Sequence, residues 1–352
     1  MMSSPVTSSD AVVGCAYDPI FLSHDLPTHP ENAGRLRAIL STLQERGLQE
    51  RLLSIPVRPA RESWITRVHD PAYLVWLREA SRPPVRHVDQ DNYIGPGSYQ
   101  AAVAAVGATV ECVRAVLEGV SRSALALVRP PGHHALPEQM MGFCLLNNVA
   151  CAAAYAMEEM GLERVLILDY DAHHGNGTQQ AFWEDPQVLY VSIHQRPLFP
   201  GSGSAAERGS GPGLGYTVNL PLPPGSGDES YSFLTDAIID PLARSFRPQL
   251  VLVSAGYDAH WREPLANLRA DVSGFDRLTT RILALAEEHC EGHLVLVLEG
   301  GYDEQVLGTC VANAAEILLG TPGNCLDPIG PAPLPAADDL RHLESLRHGL
   351  LG

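Results

Sequence analysis

The stretch RVLILDYDAHHGN, residues 164–176, decides how this chain is read. Its first half is an unbroken aliphatic run, Val165, Leu166, Ile167 and Leu168, with no alternation of apolar and polar side chains. A strand written this way is buried on both faces, as in a parallel sheet with helices on either side. Its second half turns abruptly polar, with Asp169, Asp171, His173, His174 and Asn176 in close succession. In open α/β sheets ligands bind beyond the carboxyl ends of the strands. The string therefore reads as a buried strand running straight into a binding site.

The same pattern recurs outward from it. Apolar, β-rich runs fall at 12–17, 123–128, 164–169, 188–193, 249–254 and 294–298, and helical patterns at 35–46, 71–79, 99–117, 149–160, 230–245, 275–289 and 304–318. Strands alternating with helices predict an α/β fold, a central parallel β-sheet covered by helices on both faces. Residues 195–230 are rich in Gly, Pro and Ser and read as a long loop containing one short strand at 216–220. Long loops in compact domains are often functional. No fixed-period repeat and no linker-like segment interrupts the chain, so 1–352 reads as a single domain with a Ser-rich, flexible tail at 1–10.

Composition sets limits on function. The 352 residues carry 24 Lys plus Arg against 41 Asp plus Glu, and 24 − 41 gives a net charge of −17. A general nucleic-acid binder needs a basic footprint, so no direct nucleic-acid partner is expected, whereas a cationic or neutral small substrate fits. No apolar run is expected to reach the length that spans a membrane, and no membrane partner is expected. The N-terminus lacks the basic start and apolar core of a secretory signal. Seven scattered cysteines without a CxxC argue against a zinc knuckle or a disulfide framework and for a reducing cytoplasm. A homo-oligomer stays open.

Four strand ends carry the chemistry. They are Arg129-Pro130-Pro131-Gly132-His133-His134, the run from Asp169 to Asn176, Ser254-Ala255-Gly256-Tyr257-Asp258 and Glu299-Gly300-Gly301-Tyr302-Asp303. In an extended segment residues i and i+2 point the same way, so Asp171 and His173 can approach one ion together, with Asp258 arriving from another strand. Three protein ligands leave a position open, the catalytic arrangement for Zn²⁺. Two carboxylates and an imidazole also tolerate Fe²⁺, Co²⁺ or Mn²⁺. The adjacent His133 and His134 suit proton transfer, because histidine titrates nearest to operating pH. Asp169 and Asn176 are candidate orienters, and a carboxylate behind one imidazole with an amide behind the other would set the two to different protonation states. Tyr302, freed by Gly300 and Gly301, could aim its phenol at a developing oxyanion.

These strings together resemble the histone deacetylase superfamily, which includes bacterial deacetylase-like amidohydrolases and acetoin-utilisation proteins. The resemblance runs from the His29-Pro30-Glu31 segment to about Leu318 and includes RPPGHH at 129–134, GFCLLNN at 142–148, DYDAHHGNGT at 169–178, VSIH at 191–194, FPGSG at 199–203, SAGYDAH at 254–260 and LEGGY at 298–302. Asn176, where class I enzymes carry Asp, is similar to the class II branch. The resemblance implies an arginase-like fold, Zn²⁺ at Asp171, His173 and Asp258, a catalytic pair at His133 and His134, and a carbonyl-polarising phenol at Tyr302. It implies a substrate tunnel at Gly142, Phe143 and Phe199, a rim aspartate at Asp91, and an apolar Leu265 where the polyamine-specific branch puts Glu. It further implies a structural K⁺ held by carbonyls of Asp169, Asp171, His173 and Ile193 with the Ser192 hydroxyl and an Asp169 carboxylate oxygen, and a second cation near Phe182, Asp185 and Val188. The expected activity is zinc-dependent hydrolysis of acyl-lysine amides in proteins or peptides. Small acylated amines such as acetylpolyamines, or a non-catalytic acyl-lysine binding role, are the alternatives.

Overall fold

The computed structural model describes residues 12–324 and 326–351, so the expected tail at 1–10 and Cys325 lie outside the described residues. Among the described residues there are ten strands: β1 Val13–Ala16, β2 Leu53–Ile55, β3 Arg86–His87, β4 Tyr93–Ile94, β5 Ser123–Ala126, β6 Val165–Asp169, β7 Val188–Gln195, β8 Thr217–Leu222, β9 Leu250–Ala255 and β10 Leu294–Leu298. Eight of them form one sheet in the order β2-β1-β5-β10-β9-β6-β7-β8, and every pairing in it is parallel. Helices cover it, giving the parallel α/β sheet that the strand pattern called for and the arginase-like single domain that the resemblance implied. β3 and β4 pair antiparallel as a separate short ribbon.

The apolar runs explain the sheet. β6, β9 and β10 are buried at every residue, so each must be covered above and below, and only crossover helices do that. The expected strands are present with ends that shift by two residues at most. The sequence reading assigns no element to β2, a three-residue edge strand with two exposed residues that offers no periodicity to read, nor to the C-terminal helix Leu340–Leu351. The helix expected at 230–245 is three pieces: Asp228–Leu234, a π-helical stretch Thr235–Ile239, and Asp240–Phe246 with Pro241 near its start.

One expectation needs correction. The helix Ser98–Leu117 is 20 residues long and apolar enough to meet the criterion for a membrane span, but 83% of the relevant window is buried inside the fold. Its alanines and valines face the sheet on one side and the helix Asn148–Glu158 on the other, so nearly all of its circumference is core. The six cysteines among the described residues are free.

The order of the strands positions the site. β5, β10, β9 and β6 are consecutive neighbours at the centre of the sheet, with β7 next. Being parallel, they deliver their carboxyl ends to one edge. The four polar strings that follow them in sequence, far apart along the chain, emerge side by side.

Candidate active site

Asp171, His173 and Asp258 meet at the ends of β6 and β9, their ligand atoms all within 4.8 Å of one another and all three residues buried. His173 Nδ1 lies 2.8 Å from Asp258 Oδ2 and 3.2 Å from Asp171 Oδ1. Backbone amides fix the remaining carboxylate oxygens: Gly300 N–H donates to Asp171 Oδ2 at 2.8 Å and Ala172 N–H to Asp258 Oδ1 at 2.7 Å. Gly300 has to be glycine here, because a Cβ would stand 2.5 Å from Asp171 Oδ2 and 2.7 Å from Asp258 Oδ2. Burial and the adjacent Asp171 carboxylate push Asp258 upward, while Asp171, against the cost of burial, is held well below the usual carboxylate range by His133 and His173. Burial would lower His173, but the two carboxylates outweigh it and raise the imidazole to about 10. Two buried carboxylates converging on one imidazole concentrate negative charge at a point, and that oxygen and nitrogen donor set fits a divalent cation.

The histidine pair stands beside this cluster, ring centroids 4.0 Å apart. His133 Nδ1 is 3.1 Å from Asp169 Oδ2, and its Nε2 faces Asp171 Oδ1 at 3.8 Å. His134 Nδ1 is 2.8 Å from the amide oxygen of Asn176. The different surroundings have opposite consequences. Burial disfavours charge on both rings, yet Asp169 and Asp171 hold His133 well above the usual imidazole range. Burial and the neighbouring charges of His133 and His173 hold His134 well below it. The Tyr190 hydroxyl steadies Asp169, 3.1 Å from the same Oδ2 and 3.0 Å from the Gly175 carbonyl.

A cavity of about 170 Å³ opens onto these groups, lined by Asp91, His133, His134, Gly142, Phe143, Asp171, His173, Leu198, Phe199, Leu265 and Tyr302. Phe143 and Tyr302 meet edge to face at 5.7 Å, and Phe199 meets the His134 ring the same way at 5.2 Å. Gly142 (φ 51°) and Phe143 (φ 70°) are both left-handed, which turns the Phe143 ring into the wall. A Cβ at Gly142 would stand 2.4 Å from the His134 ring. Asp91 is exposed at the mouth, its carbonyl accepting from His29 Nε2 at 3.0 Å. Burial raises the Tyr302 phenol well above its ordinary value, so it stays a donor.

The sequence reading missed the residues that hold this constellation in place. Glu299, fully buried, accepts from Gly132 N–H at 2.7 Å, His133 N–H at 3.2 Å and the Ser254 hydroxyl at 3.1 Å. Burial raises it to about 7 despite the nearby His133. Glu263 receives Tyr302 N–H on both oxygens, at 3.0 and 3.1 Å, and burial with the Asp258 charge raises it to about 8. Beneath both lies a buried triad. Glu31 pairs with Arg129 and Arg35, and Arg35 also donates to the carbonyls of Glu299 and Gly301, with its guanidinium 5.0 Å from the Tyr302 ring centroid. Glu31 and Glu299 stand inside strings singled out in the sequence, but a lone glutamate carries no sign of its partners. His133, Cys144 and Glu299 also cluster as potential metal donors; here the glutamate oxygens are already engaged by the amides and hydroxyl just named. Asp169 and Ser192 face each other in register across β6 and β7, so the residues of the expected K⁺ set, with Ile193 adjoining, share one sheet end. Asp185 N–H donates to the Phe182 carbonyl at 3.1 Å in the turn before Val188, where the second cation is expected.

The chain is similar to known proteins over most of its length. The family model described as "Histone deacetylase domain" matches residues 29–318. A protein of Archaeoglobus fulgidus named "Probable deacetylase" is 42% identical over 294 residues, covering 83% of this chain and 81% of its own. The "Histone deacetylase-like amidohydrolase" of Pseudomonas aeruginosa is 39% identical over 302 residues, covering 86% and 80%. The crystal structure of the HDA15 HD domain superposes with a TM-score of 0.87 at 32% identity, over 97% of this chain and 93% of that one.

Proposed function

The chain belongs to the histone deacetylase family and is a hydrolase of its deacetylase kind, and from that premise we propose that it is a zinc-dependent deacylase of acyl-lysine side chains in proteins or peptides. The observation that carries this reading is the narrow cavity between Phe143 and Phe199, ending on the buried Asp171, His173, His133, His134 and Tyr302. An acylated lysine presents a slim aliphatic stem with an amide at its tip, and this cavity matches both parts. Asp171, His173 and Asp258 would hold the metal, Zn²⁺ as the family resemblance implies, with Fe²⁺ or Co²⁺ tolerated by the same donor set. When bound, it supplies Lewis-acid polarisation of the acyl carbonyl and lowers the pKa of its water.

The chain's own residues supply the rest. His134, kept neutral and held through Nδ1 by Asn176, takes the proton of the attacking water on Nε2 and delivers it to the departing amine. His133, kept cationic by Asp169, stabilises negative charge next to it. Tyr302 donates its phenolic proton in a hydrogen bond to the oxyanion, with its backbone clamped by Glu263. The C–N bond breaks to give a free lysine amine and a carboxylate. Asp169, Asp171, His173, Ser192 and Ile193 would hold a K⁺ that would stiffen the strand ends, and residues near Phe182, Asp185 and Val188 would hold a second cation. Leu265, apolar where it lines the cavity, favours an acyl-lysine over a long polyamine. Free and largely buried cysteines suit a reducing cytoplasm.

The test is turnover of fluorogenic acetyl-lysine and trifluoroacetyl-lysine peptides by the Zn²⁺-loaded protein, with and without a hydroxamate. The chain contains no lysine, its 24 Lys plus Arg all being arginine, so it adds no acyl-lysine of its own to the assay. Hydroxamate-sensitive release of the amine supports the reading. Turnover of acetylated small amines alone would move the substrate class, and metal binding without any turnover would leave a binding role.

A further inference from the structure

A second concavity, about 600 Å³, lies beside the tunnel mouth and is lined by Asp70, Tyr73, Trp76, Val88, Glu138 and Met140, with Asp89 at its edge. Two chain segments contribute to both openings. The turn at 88–92 carries Asp89 on the groove side and Asp91 on the tunnel side. The segment at 138–143 likewise gives Glu138 and Met140 to the groove, and Gly142 and Phe143 to the tunnel. Phe143 N–H donates to Asn92 Oδ1 at 2.9 Å and ties the two walls together between the openings.

The lining has one consistent chemistry. Trp76, 42% exposed, lies parallel to Tyr73 with ring centroids 5.7 Å apart, which leaves an aromatic face open to solvent. Three carboxylates edge it, and no arginine or histidine lines it. Asp70 and Asp89 are partly engaged, Asp70 capping Ala72 N–H at 2.6 Å and Asp89 accepting from the backbone of Asp91 and Asn92. Glu138 is exposed and has no hydrogen-bond or ion-pair partner among the described residues. An open indole face beside free negative charge is a receptor for a flat, delocalised cation.

The geometry points to this groove as a specificity subsite for an arginine side chain neighbouring the acylated lysine in an extended polypeptide substrate. An extended chain advances about 3.3 Å per residue, so a peptide with its acyl-lysine in the tunnel lays its near neighbours across the shared wall into the groove. The inference rests on the acyl-lysine reading above and adds to it which sequences are preferred.

The experiment measures kcat/KM on acetyl-lysine peptides in which a single arginine is walked through the flanking positions, each matched to a peptide with glutamate there. A minimal fluorogenic acetyl-lysine without flanking residues is the reference. At the best position arginine should be favoured over glutamate by roughly 5- to 20-fold at low salt. Trp76→Ala and Glu138→Gln should each bring that ratio down by several-fold, and Glu138→Arg should reverse it, with turnover of the minimal substrate within about twofold in all three. Equal rates for arginine and glutamate peptides in the unaltered chain, or a preference that survives all three substitutions, overturns the subsite while the minimal substrate is still cleaved. No cleavage of the minimal substrate overturns the acyl-lysine reading itself, which separates the two failures.

Discussion

The floor of the site and its rim are built on different terms. The floor comprises Asp169, Asp171, Asp258, His133, His134 and Glu299, all at least 96% buried and each reached within a few residues of a central strand end. Every carboxylate in it is met by an amide, a hydroxyl or an imidazole. The rim comprises Asp91 and Phe199 on exposed turns, and the groove beside it adds the exposed Glu138 on a turn and Trp76 on the helix Pro71–Ala80. Phe199 is 37% exposed although its ring touches His134. The difference teaches where chemistry and choice reside. Buried polar groups must be satisfied together or they destabilise the fold, so the floor tolerates little change. The rim faces water, where a lost contact costs little, and it is free to differ.

The contrast is broken most directly at the three proposed metal ligands. Asp171→Ala or Asp258→Ala should abolish bound metal, read by elemental analysis, and turnover together. Retained metal in either variant would remove that residue from the ligand set. Next comes the support beneath the floor. Glu31→Ala leaves Arg129 buried without its carboxylate, and loss of one partner of a buried pair costs about 3–5 kcal/mol, measurable by denaturant unfolding. The pH dependence follows from the same group. Burial would raise Glu31, but Arg129 and Arg35 overcome it and lower the carboxyl to about 2. A depressed folded value stabilises above the ordinary carboxyl range and is lost as pH falls through it toward about 2. The unaltered protein should therefore lose stability in acid with a component that Glu31→Gln lacks.

Tyr302→Phe should lower kcat by about 10²–10³ with little change in KM, as for removal of one oxyanion donor. Full activity would exclude the phenol from the reaction. The smallest effect belongs to the rim. Asp91→Ala should raise KM by no more than about fivefold and leave kcat unchanged, since an exposed polar contact contributes little. A hundredfold loss of kcat in that variant would show that floor and rim are not separable as drawn.

Much of this was legible in the residues. Unbroken aliphatic runs identified the strands of a parallel sheet, because such runs occur only where both faces are covered. The polar strings immediately after them named Asp171, His173, Asp258, His133, His134 and Tyr302, because in this class of fold the edge beyond the strands is where ligands bind. Less was legible where a side chain's meaning depends on a partner far along the chain. Leu53–Ile55 is too short to show a period, and Glu31 lies 98 residues from the Arg129 it pairs with.

The sequence by itself determined the α/β class, the strands and the polar strings that follow them, since period and local order are properties of neighbours along the chain. Only the tertiary structure decided that Glu299 and Glu263 brace the backbone of His133 and Tyr302. Only there do the carboxylates of Asp169 and Asp171 raise His133 while burial and the charges of His133 and His173 lower His134, and only there do the segments at 88–92 and 138–143 line both a second groove and the tunnel. The physical reason is that burial, charge and hydrogen bonding act through space, and β5, β6, β9 and β10 become adjacent only once the sheet has formed.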